Sequence, residues 1–495
     1  MLEKILRLGK EAAIYGLSSL VGRFLNFLLV PFYTNVLLTS EYGVIANLYS
    51  YIAFAMILYG YGMDAAYMRF VASLEIGDKK QNFITPFLSL VATSLLLSCG
   101  LHLFSGHVAV LIGMDRSDAH LVQYAAWVLF FDALALVPFG YLRMENKAGT
   151  FAAIRIANIV MTIVLNIVLI VGLHMKAEGV LIANLAASFL TFVIHLRFIL
   201  PNMRGTFSRP LYKELLKFGI PYIPAGLASV AMQVIDRPIL KALTDDATVG
   251  IYQANYRLGI FMMLIVGMFD YAWRPFFLQH ANDKDAKVLF SRVFTVFCVL
   301  SVSLFLVLTL FIEDLIRVRL GSMYFIHPDY WSGVTIVPIV LLAYLFNGAY
   351  VNFVIGVYLE KKTAYLAWVF GAGALVNICA NLVLIPIAGM MGAAYSTLLS
   401  YAVLAVGIYF ASKKFYPLRY EWGKIVRLLA AAALPLVVFY AVPMEPATAI
   451  GVLEKVGLVV LFAVLLVSGR VLNPDELRGT GRAIGGLFGR NSDRQ

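Results

Sequence analysis

Charge is what this chain has least of. Only 14% of its 495 residues are Asp, Glu, Lys or Arg, where a soluble domain carries about a quarter. With 61% apolar residues and a mean hydropathy of +0.84, a water-soluble fold is excluded. Cysteine is almost missing. Cys99, Cys298 and Cys379 all fall inside apolar runs, which excludes a disulfide framework or a cysteine metal cluster and leaves packing as their role. The seven histidines are scattered without metal-ligand spacing. No G-x-x-x-x-G-K stretch followed by Ser or Thr is present, so nothing points to ATP hydrolysis by the chain itself. The opening MLEKILRLGK has no small-residue cleavage site and reads as a retained flank rather than a signal peptide.

Long apolar runs are abundant. Length and periodicity predict about fourteen membrane-spanning helices. They open on a hairpin over 11–38 and 41–73, turned at Thr39-Ser40-Glu41, and close on 449–471, the weakest run because Glu454 and Lys455 interrupt it. Basic residues crowd the connections on one side, from Lys4, Arg7 and Lys10 through Lys79, Lys80, Arg143, Lys147, Lys361, Lys362, Lys413 and Lys414 to the Arg-rich end. The other side holds Arg116, Lys176, Lys241, Arg317, Arg319 and Lys455. Cytoplasmic loops carry the excess of Lys and Arg, so both termini are expected on the cytoplasmic side. The net charge of +11 then reflects topology, and nucleic acid is not an expected partner.

An internal repeat is visible. A shift of 207 residues aligns Lys10 with Lys217, Pro31 with Pro238 and Gly43 with Gly250, and a shift of 213 aligns Thr150 with Thr363 and Gly179 with Gly392. Six spans per half keep both halves in one orientation. The expected fold is therefore an all-α membrane protein of two six-helix lobes related by a pseudo-twofold axis along the membrane normal. The N-terminal lobe covers 1–205 and the C-terminal lobe 206–415. Two appended helices follow over 416–472, and 473–495 is a Gly- and Arg-rich tail expected to be mobile and to touch anionic lipid.

Six of the 39 basic residues fall within spans: Arg23, Arg69, Arg155, Arg237, Arg257 and Arg274. Charge at such depth costs at least about 2.5–3.5 kcal/mol and is usually turned to a cavity or a partner. Arg23 lies mid-helix near Asn26, too deep to reach either surface, and a guanidinium presents a donor fork suited to phosphate oxygens. Its structural alternative is a partnership with Asp64. Arg257 and Arg237 are the next substrate candidates, although Arg237 sits beside Asp236. Arg155, with Asn26, completes the substrate-contact candidates, although Arg155, like Arg69 and Arg274, lies within two turns of a helix end and can snorkel; Asp270 and Arg274, four apart, can neutralise each other. Asp64, Asp132 and Asp270 are candidates for a coupling proton or sodium ion; no other cofactor and no metal is expected. Tyr, Phe and Trp read as interface anchors and packing rather than as sugar platforms.

The opening hairpin carries a resemblance. Gly22-Arg23, Glu41-Tyr42-Gly43, Gly60, Gly62 and Met68-Arg69-Phe70 resemble the N-terminal pattern of the polysaccharide-transporter family, the O-antigen and lipopolysaccharide repeat-unit flippases of the MATE-like MOP superfamily. The resemblance implies a V-shaped pair of bundles around a cationic cavity. Such a cavity would pass the diphosphate-sugar head of a polyprenyl-linked oligosaccharide by alternating access, with Arg23 as a phosphate contact. It implies a bacterial inner (cytoplasmic) membrane as the location, membrane lipid, a polysaccharide polymerase and glycosyltransferases as partners, and no covalent chemistry by the chain. A lipid II flippase shares the fourteen-helix plan. A MATE-type drug or metabolite antiporter usually has twelve helices, and a membrane glycan polymerase needs a larger outer loop than this chain offers.

Overall fold

The computed structural model describes Gly16 and residues 20–362 and 364–471; the tail expected over 473–495 lies outside them. In chain order the helices are α1 (Leu20–Val36), α2 (Thr39–Ser73), α3 (Lys79–Leu103), α4 (Arg116–Met144), α5 (Ala148–Gly172) and α6 (Lys176–Asn202). Next come α7 (Arg209–Gly219 with Tyr222–Val234), α8 (Asp246–His280), α9 (Ala286–Ile316), α10 (Pro328–Leu359), α11 (Ala364–Ala388) and α12 (Met390–Phe415), then α13 (Trp422–Ala441) and α14 (Ala449–Ser468). Twelve of these are long and apolar enough to cross a membrane; α7 does so as a pair bent by 41°, and the described part of α1 is shorter. The only strands among the described residues, β1 (Arg319–Leu320) and β2 (Met323–Tyr324), form a small antiparallel hairpin between α9 and α10.

Prolines and glycines set the irregularities. α7 bends where Pro221 and Pro224 remove backbone donors. α2 breaks at Tyr61 and Gly62, where φ reaches +29° and +75°. A Cβ on Gly62 would lie 2.4 Å from the Gly219 carbonyl oxygen, so the break lets α2 and α7 cross backbone to backbone. Gly43 and Gly250, aligned by the sequence repeat, make a reciprocal contact. A Cβ on Gly43 would meet the carbonyl oxygen of Asp246 at 1.8 Å, and one on Gly250 that of Thr39 at 1.9 Å. Thr39 and Asp246 are themselves equivalent under the same shift, so the start of α2 packs on the start of α8 across a local twofold.

The interruption expected in α14 is resolved by a partner. Lys455 is 1% exposed, and its Nζ lies 2.6 Å from Asp314 Oδ2 on α9. The other Asp314 oxygen accepts the Ala447 amide at 2.7 Å. The pair keeps α14 helical through a buried charge and fastens it to α9.

Candidate functional site

A cavity of about 250 Å³ opens between the two halves, walled by α1, α2, α5, α6 and α8. Its polar lining comprises Asn26, Tyr33, Tyr42, Tyr49, Asn158, Thr162, Asn184, Gln253 and Arg257. The wall is held by hydrogen bonds between helices. Tyr33 donates to Asn166 at 2.9 Å, Asn184 to Tyr49 at 2.7 Å and Asn158 to Thr191 at 2.9 Å. Asn166 ends the regular part of α5, which finishes as a π-helical turn over Ile167–Gly172. In α8 the helix tightens to a 3₁₀ turn at Arg257–Gly259, and Arg257 is exposed in the wall.

Two further arginines stand outside the lining, one turn from wall residues and toward the face that carries the basic connections. Arg23 precedes Asn26 by three residues on α1, and Arg155 precedes Asn158 by three on α5, so each shares a face with a wall residue one turn away. Arg23 is exposed and has no hydrogen-bond or ion-pair partner among the described residues; no Arg23–Asp64 pair forms. Arg155 rests over the Phe139 ring at 4.8 Å.

Arg237 is placed differently from the expectation of a cavity contact. It is 5% exposed, with Nη1 2.7 Å from Asp236 Oδ1 and Nε donating to Gln253 Oε1 at 3.1 Å. Asp236 also accepts the Tyr252 hydroxyl at 2.5 Å. Arg237 therefore stands one layer behind the wall, neutralised, and orients Gln253.

The three candidate coupling carboxylates are separated. Asp64 lines a second cavity of about 570 Å³ between α2, α4, α7 and α11, with Gly62, Tyr222, Ser229 and Phe370. This cavity lies on the basic side of the first. Asp132 is half-buried near Ser188 and Arg155. Asp270 is engaged by Arg274 through two bonds of 2.8 and 3.0 Å, the i, i+4 pair visible in the sequence. Among the described residues, no group of three or more His, Cys, Asp or Glu could hold a metal.

At the opposite face the halves are tied together. The Asn35 side chain donates to the Tyr324 carbonyl at 2.7 Å and accepts the Tyr324 amide at 3.1 Å, as a strand neighbour would. Tyr330 donates to the Leu37 carbonyl at 3.0 Å. Within the N-terminal half, Lys176 of α6 pairs with Glu41 of α2 at 2.7 Å.

Sequence reasoning found Asn26 but missed the tyrosines and the other amides of the wall. Tyr33, Tyr42 and Tyr49 read as packing residues, yet they line the cavity. The available signal was spacing: Arg155, Asn158 and Thr162 form one polar stripe on an otherwise apolar helix.

Residues 8–280 match the model of the family described as "Polysaccharide biosynthesis protein". A protein of the Lsg locus of Haemophilus influenzae is 18% identical over 361 residues, 68% of this chain and 84% of that protein. Among solved structures, the lipid II flippase MurJ in its inward closed conformation superposes with a TM-score of 0.74 at 14% identity, over 92% of this chain and 99% of that one. An inward-facing multidrug resistance MATE transporter of the MOP superfamily gives 0.59 at 13% identity, over 79% and 94%. With more than half of its length matched by the family model and its helices arranged as in these transporters, the chain belongs to the polysaccharide biosynthesis protein family and has the MOP fold.

Proposed function

We propose that this chain is a flippase that moves a polyprenyl-diphosphate-linked oligosaccharide across the cytoplasmic membrane by alternating access. The observation that carries this reading is the polar cavity wall, in which Arg257 has no ion-pair or hydrogen-bond partner among the described residues, with Arg23, likewise unpartnered among them, one turn from Asn26 toward the basic face. Permanent cations there are suited to a diphosphate, and the tyrosine and amide lining is suited to sugar hydroxyls. The second cavity, on the basic side, and the Asn35–Tyr324 closure opposite fit a state open toward the cytoplasm, with both termini inside by the distribution of Lys and Arg. The repeat unit of an O-antigen or another surface polysaccharide is the proposed cargo, and the polymerase and glycosyltransferases of that pathway are the proposed partners.

The test is translocation of a lipid-linked oligosaccharide in proteoliposomes. Arg23→Ala should abolish it while insertion and folding persist; unchanged transport would remove Arg23 from the mechanism. Lipid II is the second reading, favoured by the TM-score of 0.74 to MurJ over nearly the whole chain. Offering both lipids to the same vesicles separates the two.

A further inference from the structure

Away from the cavity wall, the basic-face ends of α4, α5 and α6 gather four cations on one aromatic floor. Ring centroids run from Phe151 to Phe139 at 5.0 Å, from Phe139 to His195 at 4.5 Å and from His195 to Phe198 at 6.4 Å. Arg143 lies over Phe151 at 5.1 Å and Arg155 over Phe139 at 4.8 Å. Lys147 and Arg197 share Phe198, at 5.7 and 4.5 Å. Among the described residues none of the four cations has an ion-pair partner. Glu145, between Arg143 and Lys147, is taken by Lys79 at 3.4 Å. Asp132 lies deeper in the membrane, near Arg155. His195 is 0% exposed; its Nδ1 faces the Thr191 carbonyl at 2.8 Å, and its Nε2 has no partner.

A ring face stabilises a cation by only about 0.5–1 kcal/mol at an exposed site, so the rings hold these groups in place without neutralising them. Four like charges converging from three helices are complementary to an anion.

We propose that this cluster binds the phosphate headgroup of an anionic phospholipid. The neighbouring surface argues for lipid rather than a soluble anion. On α6, Phe189, Val193 and Leu200 are 50%, 40% and 59% exposed and share a stripe with Arg197. On α5, Ile156 and Val160 are 37% and 47% exposed beside Arg155. Exposed apolar stripes of this kind face acyl chains, and the cations stand at the helix ends, at the depth of the headgroups. Basic pockets between spanning helices on the cytoplasmic side recognise anionic headgroups in this way. The inference does not depend on what the central cavity carries.

The test titrates the purified full-length protein in neutral detergent with fluorescent phosphatidylglycerol, using phosphatidylcholine as the neutral probe. Saturable binding of the anionic probe alone is expected. Arg143→Gln, Lys147→Gln and Arg197→Gln combined should weaken it by roughly a hundredfold, at about 1 kcal/mol per basic residue. Lys413→Gln with Lys414→Gln, at the basic end of α12, should leave it unchanged. Should the triple variant fail to fold, Arg197→Gln alone, an exposed change, should still weaken binding by about fivefold. Wild-type affinity in the folded triple or single variant, an equal loss in the α12 control, or displacement of the lipid by equimolar inorganic phosphate would each overturn the assignment.

Discussion

The two halves of this protein share a backbone plan but treat charge in opposite ways. In the C-terminal half, the membrane-embedded cations are mostly matched by acids: Arg237 by Asp236 at 2.7 Å, Arg274 by Asp270 at 2.8 Å, and Lys455 of the appended α14 by Asp314 of α9 at 2.6 Å. In the N-terminal half, Arg23 and Arg69 have no acid partner among the described residues, and Arg155 rests on an aromatic ring near Asp132. The exception in the C-terminal half, Arg257, faces the cavity whose other walls are mostly N-terminal helices. A buried charge with a partner is a structural element, since removing the partner is what destabilises the fold. A charge left open at a cavity wall is free to meet a ligand. The contrast therefore separates arginines that an acid partner ties into the scaffold from arginines without one among the described residues, which depth in the sequence alone could not do.

The largest effect should come from breaking a matched pair. Asp236→Ala strands Arg237 among Tyr252, Tyr256 and Gln253, and should lower stability by about 3–5 kcal/mol, read as a fall in the thermal midpoint of the purified protein. Replacing both members, Asp236→Asn with Arg237→Met, should recover most of that loss. If the single variant melts as wild type does, the pair is not structural.

The twofold relation between the halves can be sharpened next. Gly43→Ala and Gly250→Ala each push a Cβ into a carbonyl oxygen, at 1.8 and 1.9 Å. Each should destabilise by about 1–3 kcal/mol, by similar amounts because the contacts are reciprocal. A large inequality in thermal midpoint would show that the halves are not packed as equivalents.

Unmatched residues should behave in the reverse sense. Arg257→Ala should leave the melting temperature nearly unchanged, since it breaks no contact in the scaffold. It should slow translocation by about ten- to a hundredfold, the worth of a charge-assisted hydrogen bond of roughly 1.5–3 kcal/mol. The smallest change belongs to Arg274→Ala. Its pair is 48% and 30% exposed, and such pairs contribute less than about 1 kcal/mol, so both melting and transport should stay near wild type.

Much of the scaffold was readable from composition, because spanning helices need only length and hydropathy. Gly43 and Gly250 also exposed the repeat, since a backbone crossing this close admits no side chain. The break at Tyr61–Gly62 was not readable: a lone glycine in an apolar run does not reveal whether its φ turns positive. Nor was the fate of Arg237. Adjacent residues on a helix do not ordinarily face each other, yet Asp236 turns back both to Arg237 and to Tyr252, sixteen residues on. Asn26 and Arg257, singled out by depth, do meet in one wall. The tyrosines beside them were hidden because an aromatic in a membrane helix has the same pattern whether it packs or lines a cavity.

The most direct measurement compares Arg23→Ala, Arg257→Ala and Arg274→Ala in one proteoliposome assay of lipid-linked oligosaccharide translocation, each checked for an unchanged thermal midpoint. The account predicts that the first two lose transport and the third keeps it. Equal rates in all three, or a loss in Arg274→Ala alone, would contradict the division between matched and open arginines.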